Sequence, residues 1–342
     1  MSNVAIVILN YNGRHFLEKF LPSVLAFSEN NPVYVADSAS TDDSVAWLKA
    51  NYAQISLIEL PANYGYAGGY NRALAQIEAD YYVLLNSDVE VTANWLNPII
   101  KLLDESPQIA ACQPKILAYD RPTEFEYAGA AGGYLDWLGY SFCRGRLFYV
   151  CETDAGQYNN TVPVFWASGA CLFIRAKLFQ ESGGFDEDFF AHMEEIDLCW
   201  RLHLAGHQVY CCPESVVYHV GGGTLPPSNP FKTYLNYRNN LAMLYKNLPA
   251  SQLGFVLFLR LILDGVSALR FLPNWEWRNI VAIIRGHFAF YGMLPNLHRK
   301  RLTVWKQLGL IKTAESLPIY QKSVIWAYFV KGKKSFGSLS DF

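Results

Sequence analysis

The first ninety residues alternate between continuous apolar runs and stretches whose apolar positions recur at helical spacing. The runs NVAIVIL (3–9), VYVA (33–36), ISLIEL (55–60) and YYVLL (81–85) are short and rich in β-branched and aromatic residues. They suit strands covered on both faces of a parallel sheet. Between them, Phe16, Leu17, Phe20, Leu21, Val24 and Leu25 mark a helix that Pro22 is expected to kink. Val45, Trp47 and Leu48 mark a second helix, capped by Thr41 or Asp42, and Ala67 to Ile77 a third. Such alternation predicts a doubly wound α/β fold. A helix near 95–103 and a strand near 110–117 follow. Residues 118–160, rich in Gly, Tyr and Asp, show no period and read as an insertion over the site: an acceptor loop or a bare surface excursion.

Each predicted strand ends in polar residues, and in open α/β sheets ligands bind beyond that edge. The first strand ends in Asn10, Tyr11 and Asn12, the second in Asp37, and the fourth in Asn86-Ser87-Asp88. The third leads to Asn63-Tyr64-Gly65-Tyr66-Ala67-Gly68-Gly69-Tyr70-Asn71, whose glycines let backbone approach a ligand at a helix N-terminus. This is neither the dinucleotide G-x-G-x-x-G nor the P-loop pattern. Asn86-Ser87-Asp88 reads equally as a helix cap or as oxygen ligands for a hard divalent cation.

Farther on, Trp166-Ala167-Ser168-Gly169 interrupts an apolar run as a turn or bulge. Glu194-Glu195-Ile196-Asp197 opens a helix that reaches Gly206. Acids in a first turn suit the helix dipole, and Asp197 with Arg201 fits a helical ion pair. His219 stands before Gly221-Gly222-Gly223-Thr224, a run able to close over a ligand. Helices are expected over 231–248, with Tyr237-Arg238-Asn239-Asn240 as a polar stretch, and over the apolar segments 253–272 and 279–294.

Charge divides the chain. From Lys246 onward there are 14 Lys+Arg against 4 Asp+Glu; the totals of 28 and 30 leave 14 against 26 before it, so +10 faces −12. The basic, apolar C-terminal region reads as a surface for an anionic membrane, and the acidic remainder argues against nucleic acid. Arg260, Asp264 and Arg270 make a bilayer span costly, so the 253–272 helix is expected to lie in the interface. His298-Arg299-Lys300-Arg301 and Lys331-Gly332-Lys333-Lys334 would supply charge for lipid headgroups. The alternative is a helical bundle packed on the main domain or on a second subunit, as in a homodimer. Seven cysteines without C-x-x-C or zinc spacing, behind a first apolar run too short for a signal peptide, suit reduced thiols and a cytoplasmic protein.

The motifs ILNYNG, VADSASTDDS, NYGYAGGYNRA and LLNSD, in this order, resemble the N-terminal half of family 2 inverting glycosyltransferases with the GT-A fold. The resemblance spans residues 3 to about 222 and includes a rhamnosyltransferase-like subgroup. It implies that Asp37 contacts the nucleoside, and that Asn10, Tyr11, Asn12, Asn63, Gly65, Gly69, Asn71, Asn86 and Ser87 line the nucleotide-sugar pocket. It further implies that Asp88 holds Mg2+ or Mn2+ on the diphosphate, with His219 completing the metal site. Asn86 replaces the first carboxylate of the usual D-x-D, leaving Asp88 as the single acidic anchor there. Glu194-Glu195 resembles the E-D-x-D motif and makes Glu195 the base, with Glu194 as the alternative. Trp166, Ser168 and Gly169 would face the acceptor. The Q-x-x-R-W motif of processive synthases is absent.

The expected architecture is therefore a GT-A catalytic domain over 1–225 and a helical, basic, membrane-associated region over 226–342. The expected activity is sugar transfer with inversion, from a nucleotide-diphosphate donor to a polysaccharide or lipid-linked glycan, peripheral at the inner face of the cytoplasmic membrane. Rival readings are a sugar-phosphate nucleotidyltransferase, which needs a basic glycine-rich loop after the first strand, and a non-catalytic nucleotide-sugar-binding scaffold.

Overall fold

The computed structural model describes residues 2–221, 229–273, 275–307 and 317–339. Strands β1 (Val4–Asn10), β2 (Val33–Asp37), β3 (Ser56–Glu59) and β4 (Tyr81–Asn86) alternate with helices α1 (Arg14–Phe27), α2 (Ser44–Asn51) and α3 (Gly65–Leu74). All four strands run parallel, with β1 between β4 and β2. The apolar runs of β1, β2 and β4 are buried because helices cover both faces, whereas β3, expected to be covered likewise, ends the sheet as an edge strand and is only half-buried. Ala5, Val7, Tyr82 and Leu84 enter one cluster, while Val4, Ile6, Ile8, Tyr81, Val83 and Leu85 enter the other. Helix α1 continues through Pro22.

After β5 (Val89–Val91), α4 (Asn97–Glu105) and β6 (Ile109–Ala118), the sheet becomes mixed. Later strands β11 (Val162–Val164), β12 (Cys171–Arg175) and β13 (Gln208–His219) complete nine strands in the order β11-β13-β6-β12-β4-β1-β2-β3, with β5 on β13. Strand β12 lies antiparallel to both β4 and β6. The helices between them are α5 (Ala176–Glu181) and α6 (Glu194–Leu204).

The aperiodic stretch 118–160 folds into strands of its own. Here β7 (Gly133–Asp136), β8 (Ser141–Cys143), β9 (Arg146–Leu147) and β10 (Val150–Cys151) form an antiparallel meander. The C-terminal strand β14 (Ile319–Tyr320) joins it alongside β7. Runs of two to four residues are too short to display a period, so the sequence concealed them.

Helices α7 (Pro230–Asn247), α8 (Ala250–Leu269) and α9 (Trp277–Gln307) pack on one another, and α7 packs on α6. A buried polar network holds that contact. Lys246 Nζ lies 2.6 Å from Asp186 and 2.9 Å from Asp197, while Asp197 also meets Arg201 at 3.0 Å and Asn247 at 2.8 Å. The expected helical pair Asp197–Arg201 is thus one edge of a larger cluster. From α9, Lys300 binds Asp186 and lies 2.7 Å from Asp188, and Arg301 donates to the Tyr245 carbonyl at 2.7 Å. Two cations of the 298–301 run, expected to meet lipid headgroups, therefore face protein.

Helix α8 is the one helix among the described residues long and apolar enough to cross a membrane, with mean hydropathy 1.7. Its charges turn inward. Arg260 stacks 3.7 Å from the Tyr140 ring and donates to the Leu138 carbonyl, and Asp264 meets His287 at 3.2 Å. Phe255, Phe258, Ile262, Val266 and Leu269 form an outward apolar stripe, and Trp275 and Trp277 stand exposed beyond it. The boundary expected near residue 225, with Gly222 to Thr224, lies outside the described residues.

Candidate active site

Parallel pairing brings the polar strand ends to one edge. Asn10 pairs with Asp37 across β1 and β2, and Leu9 pairs with Asn86 across β1 and β4. The Asn10 side chain donates to Asp37 at 2.8 Å, leaving its own Oδ1 buried without a partner. Ser40, which sequence reasoning passed over, donates to both Asp37 oxygens, through its amide at 2.8 Å and its hydroxyl at 2.7 Å. Asp37 is only 2% exposed, so it organises this turn while keeping lone-pair capacity for one further donor. Asn12 takes a left-handed φ of 52° and accepts from the Thr41 amide at 2.7 Å, tying the two loops together. Tyr11 projects outward, 42% exposed.

The α3 N-terminus follows. Asn63 accepts from the Gly65 amide at 2.9 Å in an Asx turn. Gly65 has φ +69°, and a Cβ there would lie 2.4 Å from the Phe190 carbonyl oxygen. Gly69 lets the helix pack closely on Leu9, where a Cβ would meet the leucine methyl at 2.8 Å. Asn71 spends its amide on the Phe185 backbone, accepting at 2.9 Å and donating at 2.8 Å. It therefore braces the loop before α6.

Asp88, His219 and Glu126 form the second group. Strand β13 sets His219 opposite Val89, beside Asp88. The His219 ring meets Asp88 through Nε2 at 3.2 Å and Glu126 through Nδ1 at 3.3 Å. Burial works to lower the His219 pKa, but Glu126 and then Asp88 outweigh it and raise it to about 10. Burial likewise works to raise Asp88, and the charge of His219 with its hydrogen bond brings that carboxyl below its ordinary value. Asn86 Nδ2 stands 3.4 Å from His219 Nε2, and Ser87 lies at the rim near Gly13. Glu126 lay in the aperiodic stretch, so no sequence signal marked it.

Among the described residues, no group of three or more His, Cys, Asp or Glu side chains forms a metal cage. Asp88 and Glu126 sit on opposite ring nitrogens, so the three cannot converge on one ion in this arrangement. The 3.2 Å between Asp88 and His219 Nε2 is the spacing of an ion pair and also that of two adjacent ligands at bond lengths of about 2.1 Å, so these two are the residues that could share a cation once His219 is deprotonated. Glu126 then occupies the position of a carboxylate that orients a ligating imidazole. Phosphate oxygens and water commonly fill the remaining positions around Mg2+.

Glu194 and Glu195 begin α6, following a loop with positive φ at Phe190 (64°), His192 (70°) and Met193 (73°). The loop abuts α3, where the Ala67 amide donates to the Phe190 carbonyl at 3.2 Å. Each glutamate keeps its Oε2 buried without a hydrogen-bond partner. Burial, and then the charge of Glu195, drive Glu194 well above the carboxylate range. Burial raises Glu195 to about 7, partly offset by backbone hydrogen bonds at Glu195, Ile196 and Met193. Glu194 is 4% exposed whereas Glu195 is half-buried, so Glu195 is the less enclosed residue of the two. Tyr66, not marked beforehand, lies near both glutamates and donates to the Gly169 carbonyl at 2.7 Å.

The polar groups of the expected acceptor turn are already engaged. Trp166 Nε1 donates to the Tyr134 carbonyl at 3.1 Å, the Ser168 amide to Gln113 at 2.9 Å, and the Ser168 hydroxyl to the Ala128 carbonyl. Of the three, Gly169 is the least enclosed.

A mixed sheet with this strand order, carrying its polar constellation beyond the carboxyl ends of parallel strands, defines a GT-A-type glycosyltransferase. The chain belongs to glycosyl transferase family 2, whose profile matches residues 5–183. It is 28% identical over 236 residues to the N-acetylglucosaminyl-diphospho-decaprenol L-rhamnosyltransferase of Mycobacterium tuberculosis, covering 64% of this chain and 76% of that one. It is 26% identical over 228 residues to the rhamnosyltransferase WbbL of Escherichia coli K12, covering 63% and 83%. Its fold matches the mannosyltransferase PcManGT of Pyrobaculum calidifontis, solved with GDP-Man and Mn2+, at TM-score 0.51 and 14% identity over 85% of this chain and 87% of that one. Family membership sets aside the nucleotidyltransferase and scaffold readings.

Proposed function

We propose that this enzyme moves a sugar, with inversion, from a nucleotide-diphosphate donor to a lipid-linked or polysaccharide glycan. The observation that carries the reading is Glu195: a half-buried residue beside a buried partner, with its carboxyl pKa raised to about 7 by burial and its Oε2 buried and unpaired. A base near neutrality is suited to accept the acceptor hydroxyl proton. The acceptor oxygen attacks the anomeric carbon from the face opposite the diphosphate. The carbon–oxygen bond to the diphosphate breaks, its electron pair leaves with the phosphate, and the proton rests on Glu195. Glu194, driven further toward its neutral form, is the weaker candidate.

Asp37, the polar residues Asn10 to Asn12 and the α3 entry from Asn63 to Gly69 would hold the nucleotide side, with Asn86 and Ser87 toward the diphosphate and Asn71 bracing the loop behind them. Asp88 and His219 would hold a divalent cation that, when bound, neutralises charge on the departing diphosphate. Binding it requires His219 to give up its proton, which Glu126 and Asp88 favour retaining, so cation affinity should rise with pH. Trp166, Ser168 and Gly169 would back the acceptor side. The mycobacterial relative acts, by its name, on a diphospho-decaprenol-linked sugar, which supports a lipid-linked acceptor. The outward stripe from Phe255 to Leu269 supports work at a membrane surface.

The test is transfer from a panel of nucleotide-diphosphate sugars, including UDP-GlcNAc and GDP-mannose, with manganese titrated. Glu195→Gln should lower kcat by about a thousandfold or more, and Asp88→Asn should weaken the manganese dependence. If both variants transfer sugar at the wild-type rate, the assignment is wrong.

A further inference from the structure

The loop that delivers the glutamates is strained, and its restraint comes from outside the family-matched segment. Three non-glycine residues, Phe190, His192 and Met193, hold positive φ within four positions, immediately before Glu194. Such conformations are disfavoured for residues that carry a Cβ and persist only where surrounding contacts impose them. Those contacts come largely from α7, through the polar stretch whose purpose the sequence did not reveal. The two N–H groups of Asn239 Nδ2 are shared among the carbonyls of Phe189 at 2.9 Å, Ala191 at 2.9 Å and His192 at 2.8 Å. Three acceptors around one nitrogen settle which way the amide points. Arg238 adds donations to the carbonyls of Asp188 at 2.8 Å and Phe189 at 3.0 Å, and its Nε donates to Asn239 Oδ1 at 2.8 Å. Asn239 is fully buried, so these carbonyls have no water to turn to if the amide is removed.

We propose that Arg238 and Asn239 are positioning residues: from α7 they hold the loop 188–193 in the conformation that aims Glu195 at the acceptor hydroxyl. Neither touches the sugar or the diphosphate. Their action is the capture of successive carbonyls in a segment whose own φ preferences oppose its shape. It follows that the helical region is a component of the catalytic machinery, because the base is held from α7 as much as by its own helix. The inference rests on the reading of Glu195 as base.

The experiment compares Asn239→Ala, Arg238→Met and Glu195→Gln, singly and combined, in the full chain. It follows release of nucleoside diphosphate from the donor that the panel selects. Misplacement of a reacting group by about 1 Å can cost a hundredfold, so Asn239→Ala should lower kcat by about that factor and leave the donor KM within about threefold. Arg238→Met, at a half-buried position, should lower kcat less, by about tenfold. In the Glu195→Gln background, Asn239→Ala should cost under about threefold further, since an absent base cannot be mispositioned. A folded Asn239→Ala enzyme with wild-type kcat overturns the proposal, as does an undiminished loss in the Glu195→Gln background. Should Asn239→Ala not fold, Arg238→Met decides by the same criteria. Full transfer by Glu195→Gln alone would instead show that the base assignment had failed, an outcome distinct from failure of the clamp.

Discussion

Lys246 offers the most direct test of how the helical region is attached. Its ammonium is 2% exposed and bridges Asp186 on the loop before α6 to Asp197 within α6, at 2.6 and 2.9 Å. Replacing it with methionine keeps an unbranched stem and removes the ammonium, which lies 5.2 Å from the centre of the Phe189 ring. Removing one partner of a buried ion pair costs about 3–5 kcal/mol, because the other charge stays buried. Here Asp197 would keep Arg201 and Asn247, and Asp186 would keep Lys300. The loss should therefore fall at the lower end, about 3 kcal/mol. Urea unfolding followed by circular dichroism and tryptophan fluorescence would read it as a lower midpoint. Lys49→Met is the control, since Lys49 pairs with Glu59 at 2.7 Å but both are more than half exposed. That change should cost under about 1 kcal/mol. If Lys246→Met were as mild as Lys49→Met, the buried network would not be what anchors α7.

Two more outcomes follow from the site and the surface. The pH profile of kcat/KM should fall about tenfold per unit on the acid side of a limb near pH 7, since a carboxyl raised to about 7 loses its basic form as pH drops below that value; a profile flat down to pH 5 would remove Glu195 from the base role. The wild-type protein should pellet with anionic phosphatidylserine vesicles, and a Phe255→Ser/Phe258→Ser double variant should do so at least about tenfold less, the two rings being over 60% exposed; equal pelleting would exclude the α8 stripe as the docking face.

Much of the nucleotide-side half was legible beforehand because its determinants are local. Apolar runs at β1, β2 and β4 require cover on both faces, and parallel pairing then brings their polar ends to one edge whatever the details of packing. Asn10, Asp37 and Asp88 could thus be marked from sequence. Glu195 is marked by the resemblance of Glu194-Glu195 to the E-D-x-D motif, since paired acids at a helix start suit the dipole on their own, and its unpaired oxygen and raised pKa arise only from burial.

Distant segments decided the rest. Glu126 reaches His219 from a stretch of short strands with no period, and Ser40 completes Asp37 only once two loops meet. Asn71, Trp166 and Ser168 resembled ligand-lining residues, yet their polar groups are engaged by backbone or side chains elsewhere in the chain. Charge counting set the basic C-terminal part apart from the acidic remainder, but the fold brings that opposition to use inside the protein: Lys246 and Lys300 neutralise Asp186, Asp188 and Asp197. A sequence specifies which residues carry charge and which segments are apolar. Which charges desolvate together, and which apolar face is left outward on α8, depends on long-range packing that no local window contains.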